Sequence, residues 1–64
     1  MKLCVVKVTK GENTYLFPVV KNEYGEEYSI RVFDGGNPST YGTRALCRDI
    51  IESGGEVIER GKNQ

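Results

Sequence analysis

Apolar side chains follow two periods along this chain, an alternation that runs through its first half and a helical stripe near its end. From Lys2 to Thr9, Cys4, Val6 and Val8 share one face and Leu3 and Val5 share the other, so both faces are apolar. Such a segment predicts a strand in the interior of a sheet. Lys10-Gly11-Glu12-Asn13 supplies turn residues, and the β-branched and aromatic run Thr14 to Val20 predicts the second arm of a hairpin. Tyr15, Phe17 and Val19 fall on one face of that arm, Leu16, Pro18 and Val20 on the other. Pro18 has no N–H to give a ladder, which places it at an unpaired edge or a bulge. Asn22 to Glu26 reads as the next turn, and Tyr28, Ile30 and Val32 alternate with Ser29 and Arg31 in a third strand.

The period changes after Asp34-Gly35-Gly36-Asn37-Pro38. Asn37 is a suitable N-cap with Pro38 in the first helical position, although Gly42 can delay the regular helix to about Thr43. Leu46, Cys47, Ile50 and Ile51 lie on one stripe, with Arg48 and Glu52 spaced i,i+4 away from it. Gly54-Gly55 predicts a left-handed stop, Glu56 to Arg60 one short strand, and residues 61–64 a frayed tail.

The order β-β-β-α-β predicts one α+β domain over residues 1–64, with a four-stranded, mainly antiparallel sheet in the order 4-1-2-3 and one amphipathic helix on one face. The last strand is expected beside the first and parallel to it, which makes the first strand internal. One helix covers one face only. With that helix over Cys4, Val6 and Val8, the residues Leu3 and Val5 turn outward, and together with Tyr15, Phe17 and Val19 they are the candidate interface for a partner or a second copy of the chain.

Length changes what such a fold can do. Sixty-four residues bury only about 60% of the surface exposed by the unfolded chain, so a large pocket within the core is not expected. Nine basic and nine acidic residues cancel, and no overall field draws in nucleic acid or an anionic membrane. The opening apolar run is too short for a signal peptide or a membrane span, which makes a cytoplasmic protein with reduced thiols the expectation.

Candidate chemistry is sparse. The chain contains no histidine and two cysteines, so a Ser/His/Asp or Cys/His centre cannot be assembled from one copy, and neither a metal site nor a cofactor is expected. Cys47 belongs to the helical stripe and is expected in the core. A Cys4–Cys47 bridge is conceivable, but reduced cysteines are the expectation. The segment Asp34 to Thr40 joins strand to helix as a phosphate loop does, yet Gly36 is followed by five residues and Gly42-Thr43-Arg44, so both the spacing and the lysine of a P-loop are missing. Glu23, Glu26 and Glu27 lack the spacing of a calcium loop.

Two kinds of binding remain. Lys2, Lys7 and Lys10 with Arg31 and Phe33 are candidate nucleic-acid contacts. Six aromatic rings, Tyr15, Phe17, Tyr24, Tyr28, Phe33 and Tyr41, exceed what so small a core hides and favour protein contacts. A non-enzymatic protein-binding chain of the accessory or inhibitor type, such as phages and mobile elements encode, is the leading expectation; a small nucleic-acid-binding module is the alternative.

Overall fold

The computed structural model describes residues 1–61, so the expected frayed tail lies outside the described residues except for Gly61. Two long strands, β1 (Lys2–Lys10) and β2 (Asn13–Lys21), form an antiparallel hairpin in which Lys10 pairs with Asn13 and Lys2 with Lys21. The connection is a two-residue turn, shorter than the four residues expected. Gly11 takes φ +65°, the conformation that a glycine-first hairpin turn requires. Asn22 then organises the next turn by accepting two hydrogen bonds on Oδ1, from the N–H groups of Tyr24 and Glu26, both at 2.9 Å.

Strand β3 (Glu27–Ser29) pairs with the end of β2 and is much shorter than the strand expected through Val32. Pro18 is the cause. The register that pairs Val19 with Ser29 sets Pro18 opposite Ile30, and the Ile30 N–H donates to the Pro18 carbonyl at 3.0 Å. An antiparallel pair of this kind normally exchanges two bonds, and the second would need the N–H that proline lacks. The ladder stops there.

The chain next makes a small hairpin, β4 (Phe33–Asp34) with β5 (Asn37–Pro38), where a helix start was expected. Ser39, and not Asn37, is the N-cap: its Oγ accepts the Gly42 N–H at 2.8 Å and its carbonyl accepts the Thr43 N–H at 3.1 Å. Helix α1 (Thr40–Glu52) therefore runs without delay through Gly42. That glycine is needed for space, because a Cβ there would stand 2.5 Å from Val32 Cγ1. At the far end Gly54 (φ +88°) gives the left-handed stop, with the Gly54 and Gly55 N–H groups donating to the Ile51 and Ile50 carbonyls. No Arg48–Glu52 ion pair forms among the described residues.

Strand β6 (Glu56–Arg60) returns beside β1 and parallel to it. The sheet is mixed, in the order β3-β2-β1-β6, and a two-stranded sheet, β4-β5, stands apart. The expected 4-1-2-3 becomes β6-β1-β2-β3, because the unforeseen hairpin takes two numbers between the third strand and the helix. No helix among the described residues is long and apolar enough to cross a membrane.

Both faces of β1 are buried, but the helix covers the face opposite to the one expected. Val5 packs with Cys47 and Ile50 under α1, with Leu46 at the margin; Ile51, expected in the same stripe, is 42% exposed. Cys4, Val6 and Val19 form a second cluster on the other face, with Val8 and Ile58 against it. Among the described residues no helix lies over that cluster, yet its three central residues are at most 7% exposed.

Candidate functional site

The helix-free face is closed by the curl of the sheet and by charged side chains. Glu27 and Arg60 stand on the two outer strands, Arg60 level with Val8 and Glu27 level with Lys2, so a flat sheet would hold them roughly 24 Å apart. Strong coiling brings them together over the Cys4 cluster, where Arg60 Nη1 and Nη2 each donate to a Glu27 carboxylate oxygen at 2.6 Å. These hydrogen bonds hold the Glu27 carboxyl below its ordinary range, against a smaller opposing effect of desolvation, and the charges of Arg60 and Lys21 lower it further. The same pairing raises the pKa of Arg60. Nearby, the Glu56 carboxylate accepts a long contact from the Cys4 thiol and lies 3.8 Å from both Lys2 Nζ and Lys21 Nζ. Charged residues ring this apolar cluster in place of a second layer.

The expected interface does not exist as one patch. Leu3 and Val5 lie on the helix face, Tyr15, Phe17 and Val19 on the opposite face, and Val5 and Val19 are buried. The physical reason is the choice of face by the helix. Leu3, Tyr15 and Phe17 remain about half exposed.

The candidate nucleic-acid residues are also dispersed. Lys2 is beside Glu56, Lys7 belongs to the opposite face of β1, Lys10 closes the hairpin, and Phe33 opens β4. Arg31 lies outside any strand and borders a groove. No single basic surface gathers these five.

Cys4 and Cys47 are both free and buried, in different clusters on opposite sides of the sheet. Burial raises the Cys47 pKa and keeps the thiol protonated. Among the described residues, no three His, Cys, Asp or Glu side chains gather as a metal site would need.

Exposed aromatic surface is what the structure presents. All six rings lie on the outside, from Phe17 at 47% to Tyr24 at 81%. Tyr15 and Phe17 flank Leu16 on the half of β2 that β3 leaves bare, and this half borders a groove of about 640 Å³ that continues to Ile30, Val32 and the first turn of α1. A smaller groove of about 440 Å³ runs from Leu16 along the helix past Tyr41, Ala45 and Ile51. The two meet at Leu16 and Arg44. The missing N–H of Pro18 predicts an unpaired edge or a bulge, but which stretch of β2 is left bare follows only from the register that sets Ile30 opposite Pro18. No family model, curated protein or solved structure matches this chain.

Proposed function

We propose that this chain is a binding module that acts by holding another protein, and that it is not an enzyme. The observation that carries this reading is the exposure of every aromatic side chain. A domain of this size would normally place some of its largest apolar groups in the core, where each stabilises by roughly 1.5–3 kcal/mol. Here the core is made of valine, cysteine and isoleucine. Exposed tyrosine and phenylalanine supply large contact area at low entropic cost, and they are enriched where proteins meet. The absence of histidine from the sequence argues against acid–base catalysis near neutral pH. The two free thiols suit a cytoplasmic setting.

Affinity capture from cells of the native host tests the reading, with wild type compared against the double variant Phe17→Ser, Tyr41→Ser. A protein retained by wild type and lost by a variant of unchanged thermal midpoint supports it. Equal retention by both chains removes it. Two copies do not stack through Leu3 and Val5 in this reading, because α1 occupies that face.

A further inference from the structure

We propose that the bare half of β2 binds an extended, acidic segment of the partner by strand addition. This rests on the protein-binding reading above and names the surface and the chemistry of the partner. The backbone supplies the first reason. Ile30 N–H donates to the Pro18 carbonyl, so Pro18 turns that carbonyl toward the β3 side. Alternation along an antiparallel strand then turns the N–H and C=O of Leu16 and Thr14 to the same side, where no strand among the described residues pairs with them. Those groups are a template for another chain.

Protection of the two sheet edges differs in a way that singles out β2. On the far edge, β6 carries Glu56, Glu59 and Arg60, charges of the kind that discourage edge pairing. The bare segment Thr14-Tyr15-Leu16-Phe17 carries none, and its residues are β-branched, aromatic or aliphatic. Nothing in its sequence blunts it.

Charge selects the occupant. Arg31 and Arg44 border the groove beside this edge, Arg48 borders the adjoining one together with Glu52, and none of the three arginines forms an ion pair among the described residues. Among the described residues, no Asp or Glu lines the larger groove. A second copy is a poor occupant, since joining two β2 edges would bring the Arg31 and Arg44 pairs of both copies together without a carboxylate to separate them. A segment of alternating acidic and apolar residues fits both features: its backbone pairs with Thr14 and Leu16, and its carboxylates reach the arginines.

A labelled peptide of alternating glutamate and valine is the probe, with its lysine–valine counterpart as control. The expected result is saturable binding of the acidic peptide alone, with the Leu16 amide, fast to exchange in the free protein, becoming protected. Leu16→Pro removes only the outward N–H and is expected to weaken binding about tenfold or more, whereas Leu16→Ala, which keeps that N–H, has a smaller effect. Thr14→Pro repeats the test should Leu16→Pro fail to fold. Arg31→Glu with Arg44→Glu is expected to abolish binding. Equal loss in Leu16→Ala and Leu16→Pro, an unprotected Leu16 amide in the complex, or equal binding of the lysine peptide overturns strand addition by an acidic segment. Concentration-dependent protection of Leu16 without peptide overturns it in favour of a second copy. A host protein captured through Phe17 and Tyr41 while the peptide arms fail leaves the protein-binding reading standing and removes this inference alone.

Discussion

Arg60 and Glu27, on opposite edges of a four-stranded sheet, are joined by a two-pronged ion pair with both hydrogen bonds at 2.6 Å. Only a strongly coiled sheet permits this contact. The pair closes the face that the helix leaves open, and it fixes how stability should depend on acid.

Glu27 has a folded-state pKa below its ordinary value of 4.5, so between the two values the unfolded chain binds more protons and stability falls as pH falls. Above the ordinary value the contribution is complete; it is lost as pH drops through the lowered one. Thermal midpoints of wild type and Glu27→Gln, followed from about pH 7 to about pH 3, should show wild type ahead at neutral pH and the gap closing in acid. Salt should narrow the gap at neutral pH, since Arg60 is half exposed. A gap that does not change with pH would show that the ion pair does not form in solution.

Val5 lies under α1 with no exposed area, whereas its neighbour on the same face, Leu3, is half exposed. Val5→Ala should cost roughly 2 kcal/mol by lost burial and cavity formation. Leu3→Ala should cost well under half of that. Urea denaturation of both variants decides whether the helix covers this face as described, and equal losses would contradict it.

Gly42 gives way to Val32. Alanine is the better helix former by about 1 kcal/mol, yet Gly42→Ala places a Cβ against Val32 Cγ1 and is expected to destabilise by about 1–3 kcal/mol. In the background of Val32→Ala the same change should become neutral or stabilising. A double-mutant cycle with no coupling between the two positions would refute the packing of the 30–32 segment against the helix.

Cys47 is buried among Val5 and Ile50, and desolvation alone raises its thiol pKa. Native protein should react slowly with a thiol reagent at this position, and Cys47→Ser should cost roughly 1–3 kcal/mol. Because Cys4 is on the opposite side of the sheet, a mild oxidant should leave each chain without an internal bridge. Mass spectrometry after oxidation reads this directly.

Alternation of apolar residues from Lys2 to Thr9 was enough to identify a central strand, because a strand with two apolar faces must be buried on both. The helical stripe and Gly54 likewise located α1 and its stop to within a few residues, since helix period and left-handed backbone are local properties. The aromatic excess was equally visible, and it pointed to surface contacts before any ring could be placed. The face taken by the helix was not legible. Leu3 and Val5 are as apolar as Cys4 and Val6, and what distinguishes the two faces is how the crossover from β3 to β6 passes the twisted sheet, a property of the assembled connection. The bare edge beside Leu16 was hidden for a related reason. Pro18 announces a missing N–H, but the strand that loses a bond to it is set by a register linking residues far apart in the chain, and only the folded sheet sets Ile30 opposite Pro18.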